Sequence, residues 1–184
     1  MKPHISAVDY DRKKRNGNPF MFILKTAFLV VVAVVTPQCA GMSSHPLQGQ
    51  EAPSFSLRLM DGGTLNLSEH LGKRPIVLDF WAVWCPACRA GLPNLATVVA
   101  QFKKEDVMIC SVNMGDTRDG IASFLKNSSV KLPVAMDERN AVGGSYQVES
   151  IPTKILINRE GKVAQVIVGT LGESALSEAI RKLL

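Results

Sequence analysis

Two cysteines lie where a predicted buried strand is followed by a predicted helix, and this junction restricts the fold more than any other feature of the chain. The run PIVLDFWAV, residues 75–83, is short, apolar and rich in β-branched and aromatic side chains, which predicts a strand buried on both faces. Apolar residues then recur at helical spacing from Cys88 to Phe102. The sequence Cys85-Pro86-Ala87-Cys88 therefore joins a core strand to a helix.

Strand-like and helix-like segments alternate through the rest of residues 51–184. They are a β-hairpin over residues 53–70 with its turn at 61–63, a buried strand over 107–114, a short helix over 119–127, a short strand over 131–137, a hairpin over 154–170 with its turn at 159–161, and a closing amphipathic helix over 174–184 with Ser174 as N-cap. This order predicts one α/β domain over residues 51–184, in which helices cover both faces of a mixed sheet. Trp81 and Cys110 are expected in its core.

Residues 1–36 combine a basic stretch with an apolar one. Residues 12–15 are all Arg or Lys, and residues 20–35 are apolar at all but two positions. This pattern predicts a signal peptide or a membrane anchor. By the positive-inside rule, either one would place the following residues outside the cytoplasm, in the periplasm or on the outer face of the plasma membrane.

A polar stretch, residues 37–50, follows the apolar run. Its many turn-forming residues predict a flexible tether between the N-terminal segment and the domain. Cys39 lies close to the end of the apolar run, so lipidation of this cysteine stays open as a second kind of anchor.

The positive charge of the chain is concentrated before the domain. The formal net charge is +5, but residues 1–36 hold six Lys/Arg against two Asp, whereas residues 37–184 hold fifteen Lys/Arg against fourteen Asp/Glu. A nearly neutral domain gives no support for a surface that binds nucleic acid.

The cysteine pair could hold a metal, attach haem, act as a structural staple or carry out redox chemistry. A structural zinc site usually needs four Cys or His ligands, but the chain has no second C-x-x-C and none of its three histidines is spaced with this pair. Covalent haem attachment would need His directly after the second cysteine, where Arg89 stands. A disulfide across so small a loop would add little stability. We therefore predict a redox-active dithiol, with no metal and no cofactor.

The two cysteines are expected to have different tasks. At the start of a helix, unpaired backbone N–H groups and the helix dipole favour the thiolate form of a cysteine. Cys85 occupies that position and is predicted to be the nucleophile. Cys88 lies one turn further along the helix and is predicted to be the more shielded, resolving thiol.

The stretch DFWAVWCPAC, residues 79–88, resembles the active-site sequence of thioredoxin. Together with the basic and apolar N-terminus, it is similar to the TlpA/ResA-like family of extracytoplasmic thiol-disulfide oxidoreductases. The resemblance extends over most of residues 50–184 and includes the sequence SIPTKILINREGKV, residues 150–163. It implies a thioredoxin fold with an N-terminal β-hairpin extension and a central insertion over residues 113–140.

The resemblance also implies roles for individual residues. Ile151-Pro152 would be a cis peptide bond that faces the cysteines and exposes the backbone of Ser150 or Ile151 for pairing with a substrate. Trp84 would contact substrate, although an ordinary rim or core position remains open for it. The implied site comprises the catalytic residues Cys85, Cys88 and Asp79, and the substrate-binding residues Trp84, Pro86, Ala87, Ile151 and Pro152.

One position departs from the family pattern. TlpA/ResA-like proteins often carry Glu three residues after the second cysteine, where this chain has Gly91. Asp79 matches the buried acid of thioredoxin, and a charged residue within an apolar strand is costly to bury unless it is paired or functional. We therefore expect Asp79 to exchange a proton with Cys88, and Gly91 to permit the close approach of a partner or of another backbone segment.

These features together predict an extracytoplasmic enzyme that reduces protein disulfides and becomes oxidised at Cys85 and Cys88. Its implied partners are client proteins and a membrane electron donor that reduces the pair again, and a monomer is expected. Apocytochrome c is one conceivable client. Thr153 after Pro152 disfavours it, because dedicated cytochrome-maturation members carry Glu at that place.

Two other functions compete with this prediction. A peroxiredoxin-like peroxidase can share the fold, but its P-x-x-x-T-x-x-C motif would require Pro and Thr where the chain has Leu78 and Ala82. A non-catalytic thioredoxin-like binding or chaperone module is the other alternative. The intact C-x-x-C and its distant proline argue against that module.

Overall fold

The computed structural model of the chain describes residues 45–128 and 130–184. The predicted signal or anchor over residues 1–36 and the candidate lipidation site Cys39 lie outside the described residues. Within the two described ranges, no helix combines the length and the apolar character needed to cross a membrane.

In the described part of the chain, seven strands form one mixed sheet in the order β2-β1-β5-β4-β3-β6-β7. The neighbours β3, β4 and β5 run parallel, and the other neighbouring strands pair antiparallel. The strands are β1 Ser56–Leu59, β2 Thr64–Asn66, β3 Ile76–Trp81, β4 Met108–Met114, β5 Val134–Asp137, β6 Thr153–Ile157 and β7 Val163–Val168. The predicted α/β class is confirmed, with the leading hairpin and the inserted β5 on the same side of the central strands.

Among residues 45–128 and 130–184, four α-helices cover the sheet: α1 Pro86–Val99, α2 Arg118–Ser128, α3 Ala141–Ser145 and α4 Glu173–Arg181. Apolar side chains of α1, α2 and α4 pack in one core cluster with Val77 and Trp81 of β3. The alternate residues of β3 pack in a second cluster with α3 and the leading hairpin. Because β3 is covered on both faces, all six of its residues are buried, which explains why its sequence is apolar at every position except Asp79.

Both predicted hairpins are present. The turn between β1 and β2 includes Gly62 at φ +97°, a backbone conformation that favours glycine. Gly161 at φ +82° has the same role in the turn between β6 and β7. The two glycines therefore allow the chain to reverse where the sequence predicted turns.

The helix ends and the smallest helix differ from the prediction. Ser174 was expected to cap the last helix, but α4 begins at Glu173 and its N-cap is Gly172. The expectation was wrong because an N-cap serine precedes its helix, whereas Ser174 already lies within the first turn. The helix α3 was not predicted, since five residues that include two glycines carry no readable period.

Part of the predicted tether lies against the domain. The Gly49 N–H donates a hydrogen bond to the Val163 carbonyl, and the Val163 N–H donates to the Gln50 carbonyl. Leu47 packs against the second core cluster. Residues 47–50 therefore extend along the start of the outermost strand, β7.

Tyr146 ties the segment before β1 to the core. Its side chain is fully buried between Phe55 and Phe80, with ring centroids 6.2 and 5.7 Å away. Its hydroxyl donates a hydrogen bond to the Pro53 carbonyl at 2.8 Å. Burial raises the pKa of this phenol, so it stays a neutral donor at ordinary pH.

The substitution Tyr146→Phe should lower the free energy of unfolding by about 1 kcal/mol, because it removes this hydrogen bond and keeps the ring packing. Urea unfolding of the oxidised protein measures the change. Ser145→Ala is the matched control, since its hydroxyl bonds to the Ala141 carbonyl at an exposed position and its loss should change stability much less. Equal effects of both substitutions would contradict the assigned role of Tyr146.

Candidate active site

The cysteine pair lies at the first turn of α1, at the end of the loop that leaves β3. Cys85 is the N-cap residue with extended backbone angles, and Pro86 is the first residue of the helix. The Cys88 N–H donates a hydrogen bond to Cys85 Sγ at 3.1 Å. The two residues form a disulfide with their Cα atoms 5.3 Å apart, and only 5% of Cys85 and 2% of Cys88 is exposed. An N–H group of the first helical turn thus points at the sulfur that would carry negative charge after reduction.

The Ile151-Pro152 peptide bond lies beside the disulfide. It is cis, as predicted, and the Ile151 carbonyl oxygen lies 3.7 Å from Cys85 Sγ. The Pro152 carbonyl accepts a hydrogen bond from the Gly169 N–H. Cys85 and Ile151, which are 66 positions apart in the chain, are therefore neighbours in the fold.

The side chains next to the disulfide face solvent. Trp84 is 69% exposed, whereas Trp81, three residues earlier, is fully buried against Phe124. Pro86 and Ala87 are also exposed. The structure thus confirms Trp81 as a core residue and leaves Trp84 as an apolar surface beside the sulfurs.

Asp79 lies in the middle of β3 and is 3% exposed. The alternation along β3 puts it on the same face as Val77 and Trp81, the face that α1 covers. Lys154 of β6 lies directly opposite, and its Nζ atom is 2.9 Å from Asp79 Oδ1. Burial raises the pKa of the Asp79 carboxyl, and the Lys154 ammonium opposes part of that rise. The sequence analysis singled out Asp79 but did not predict that Lys154 would pair with it.

Asp116 is a second site residue that the sequence did not reveal. Its Oδ2 atom accepts hydrogen bonds from the Val83 N–H at 2.6 Å and from Asn113 Nδ2 at 2.8 Å. The Asp116 N–H in turn donates to Asn113 Oδ1. The loop after β4 thereby holds the backbone two residues before Cys85. The only sequence signal was a pair of polar residues at the end of a buried strand.

Gly91 lies on α1 next to the loop that follows β7. A Cβ atom at this position would lie 3.3 Å from Cγ2 of Thr170, so glycine permits this close approach. The close neighbour is thus the Thr170 side chain and not the backbone segment that was expected. A glutamate here, as in many family members, would have to displace the Thr170 side chain.

Cys110 lies in β4 and belongs to the other face of the sheet. It is 1% exposed and free, and burial raises its pKa to about 12. It is therefore an inert core thiol, as expected. Over residues 45–128 and 130–184 no group of three His, Cys, Asp or Glu side chains could hold a metal ion.

A disulfide at the N-terminus of a helix, next to a cis-proline on a mixed sheet of this order, defines the class of thioredoxin-fold thiol-disulfide oxidoreductases. The reversible S–S bond supplies the chemistry, and the fold supplies the thiolate-stabilising helix end.

Comparisons with known proteins agree with this class. Residues 48–166 match the family model of the AhpC/TSA family. The thiol-disulfide oxidoreductase ResA of Bacillus subtilis is 37% identical over 131 residues, which cover 71% of this chain and 73% of the relative.

Solved structures give the same result. A protein assigned as the thiol:disulfide interchange protein DsbE from Chlorobium tepidum is 32% identical, with a TM-score of 0.63, and the match covers 72% of this chain and 92% of that one. StoA from Bacillus subtilis, 22% identical, shares the fold with a TM-score of 0.62 over 69% of this chain and 96% of its own. The chain belongs to the TlpA/ResA-like family of thiol-disulfide oxidoreductases.

The Asp116→Ala substitution should lower stability by about 2 kcal/mol, because hydrogen bonds to a charged acceptor are lost and the Val83 N–H is left without its partner. It should also slow dithiol oxidation, since the loop before Cys85 loses its support. Urea unfolding and the rate of reaction with a small disulfide measure the two effects. Asp106→Ala, at an exposed acid, is the control and should change neither. An unaltered reaction rate in the Asp116 variant would exclude a positioning role.

Proposed function

We propose that this enzyme reduces protein disulfides outside the cytoplasm through the motif Cys85-Pro86-Ala87-Cys88. The observation that carries the proposal is the position of Cys85 Sγ at the start of α1, 3.7 Å from the carbonyl of the cis peptide and next to the exposed Trp84. A client disulfide that reaches this sulfur meets a thiolate-stabilising helix end, an apolar surface and free backbone groups.

Electrons move to the client in two steps. The Cys85 thiolate attacks one sulfur of the client disulfide, so that a Cys85–client bond forms and the client S–S bond breaks. The released client sulfur takes a proton from solvent. The Cys88 thiol then loses its proton and attacks Cys85 Sγ, which releases the second client sulfur as a thiolate that is protonated in turn. The client gains two electrons and the enzyme acquires the Cys85–Cys88 disulfide.

The backbone at Ile151 is the proposed docking point for the client chain. Ser150 is less suited, because its carbonyl already accepts a hydrogen bond from the Thr153 hydroxyl at 2.7 Å. Within the described chain the Ile151 N–H has no hydrogen-bond partner. An extended client segment could therefore pair with Ile151 as an additional strand does, with Trp84, Pro86, Ala87 and Pro152 around it.

Asp79 is the proposed acceptor of the Cys88 proton. It lies on the face of the sheet that α1 covers, and Cys88 packs in the core cluster on that face. A carboxyl whose pKa burial has raised accepts a thiol proton more readily than an ordinary exposed carboxylate does. With Gly91 in place of the acid that many relatives carry, Asp79 supplies the carboxyl group for this exchange.

The cellular setting belongs to the same proposal. The basic and apolar sequence of residues 1–36 would deliver or anchor the domain outside the cytoplasm. The oxidised pair would then be reduced by a dithiol donor at the membrane, and the enzyme would act as a monomer. Apocytochrome c remains a candidate client that Thr153 disfavours.

The substitution Cys88→Ser should trap clients as mixed disulfides with Cys85, because the resolving thiol is lost and the nucleophile is kept. Nonreducing gels and mass spectrometry of captured extracytoplasmic proteins, with the full chain expressed in a bacterial host, measure the adducts. The variant Cys85→Ser with Cys88→Ser is the control and should capture none. If the single variant captures no more than the double variant, the domain is a binding module and the proposed reduction is wrong.

The substitution Asp79→Asn should slow the Cys88 step roughly tenfold or more, because it removes the group that accepts the thiol proton. In the parent enzyme this rate should fall as the pH drops through the raised pKa of Asp79, since the protonated carboxyl cannot accept a proton. The variant should lack that fall. Stopped-flow oxidation of the dithiol by a small disulfide across pH measures both effects, with Asp106→Asn as control. An identical pH profile in the Asp79 variant would exclude the proton role.

A further inference from the structure

Three buried polar residues form a row across three neighbouring strands. Asp79 of β3 lies opposite Lys154 of β6 on one side and opposite Ser111 of β4 on the other. They are 3%, 5% and 1% exposed, respectively. Neighbours in register point to the same face of a sheet, so all three side chains lie on the face that α1 covers. This row, Lys154–Asp79–Ser111, is called the polar row below.

Unpartnered polar atoms are concentrated at the polar row. In the part of the chain that the structure describes, the buried atoms Ser111 Oγ and Trp81 Nε1 form no hydrogen bond, and Lys154 is the polar side chain in contact with Asp79 Oδ1. Trp81 lies two residues after Asp79 on the same strand and face. The Lys154 ammonium lies 2.9 Å from Asp79 Oδ1 and is its charged hydrogen-bonding partner. A hydroxyl beside a carboxylate can supply a further hydrogen bond, directly or through one internal water.

The charge on Asp79 is balanced by one neighbouring side chain. Among the described residues, Lys154 is the charged group in contact with it. β4 contributes the neutral Ser111 on this face and the neutral Cys110 thiol on the other. The helices α1, α2 and α4 contribute apolar residues and the cysteine pair to the cluster around it. Lys154 therefore decides how far burial can shift Asp79 towards its protonated form.

We propose that Lys154 and Ser111 are positioning residues that keep Asp79 able to accept the Cys88 proton. Lys154 stabilises the carboxylate by charge, and the Ser111 hydroxyl, which has no partner among the described residues, stabilises it by a hydrogen bond relayed through one internal water. The inference rests on the proton role proposed for Asp79 and names the groups that make this role workable in a buried site.

The proton balance of the resolving step follows from the polar row. The Cys88 S–H bond breaks and its proton passes to the Asp79 carboxylate. The Cys88 sulfur attacks Cys85 Sγ, the bond between Cys85 and the client breaks, and the client sulfur leaves as a thiolate. Lys154 takes no part in the transfer, so the Asp79–Lys154 pair gains one positive charge. The proton leaves Asp79 for solvent after the disulfide has formed. Without Lys154, burial would favour a carboxyl that is already protonated and cannot accept a second proton.

The oxidised enzyme allows Asp79 to be titrated without interference, because disulfide-bonded cysteines do not ionise. NMR of the Asp79 carboxyl carbon should show Lys154→Met raising the pKa of Asp79 by about one to three units, the usual effect of losing an opposite charge at contact distance. Ser111→Ala should raise it by less, and in the same direction. Lys162→Met removes an exposed lysine of the β6–β7 turn and is the matched control, which should leave the titration unchanged.

The rate of dithiol oxidation should follow the titration. In Lys154→Met and Ser111→Ala the pH below which the Cys88 step slows should move upward by the same amount as the measured pKa. In Asp79→Asn with Lys154→Met, the pH profile should equal that of Asp79→Asn alone, because Lys154 acts through Asp79. A purely structural role would change stability without moving these pH midpoints.

The outcomes separate the two proposals. If Asp79→Asn alters the pH profile but neither Lys154→Met nor Ser111→Ala moves the Asp79 titration, the polar row is irrelevant and only this inference fails. If Asp79→Asn leaves the profile unchanged, the proton role itself is wrong. Should Lys154→Met not fold, Lys154→Gln and the smaller change Ser111→Ala test the same prediction, and an unshifted Asp79 titration in them overturns it.

Discussion

The first turn of α1 leaves backbone N–H groups without helical partners. One of them, the Cys88 N–H, donates a hydrogen bond to Cys85 Sγ at 3.1 Å. This contact sets the position of the reactive sulfur and starts the helix at the same residue. β3, which is buried on both faces, ends at Trp81 and leads through a short loop to Cys85. Asp116 fixes this loop by a hydrogen bond from the Val83 N–H. The sheet, the helix and the site thus share a single junction, and a change in any of them is expected to alter the others.

Beneath this junction the protein buries a charge pair in an otherwise apolar core. Such pairs contribute little to stability, since desolvation offsets much of the attraction, but removal of one partner leaves an uncompensated buried charge. The Asp79–Lys154 pair therefore fits the proton role proposed for Asp79. A base that stays out of solvent yet can exchange a proton needs both the burial that raises its pKa and a cation that limits the rise.

Much of the fold could be read from local patterns. The hairpin turns at residues 61–63 and 159–161, the buried strands around Asp79 and Cys110, and the helix after Cys85 were predicted at nearly their observed places. The misses were small and local. Ser174 lies inside α4 and not at its cap, because Gly172, a residue type that also occurs at N-caps, takes that position two residues earlier. The five residues of α3 are too few for a period to emerge.

The sequence by itself determined the strand β3, the cysteine pair, the acid Asp79 and the proline motif. Each of these can be recognised from residues that are close neighbours in the sequence. Only the tertiary structure decided which distant residues lie beside those of the predicted site. Lys154, Ser111 and Asp116 come from strands or loops far along the chain, and no local pattern marks them as neighbours of Asp79 or Val83. These partners are determined by the register between neighbouring strands, and the packing of the whole sheet sets that register.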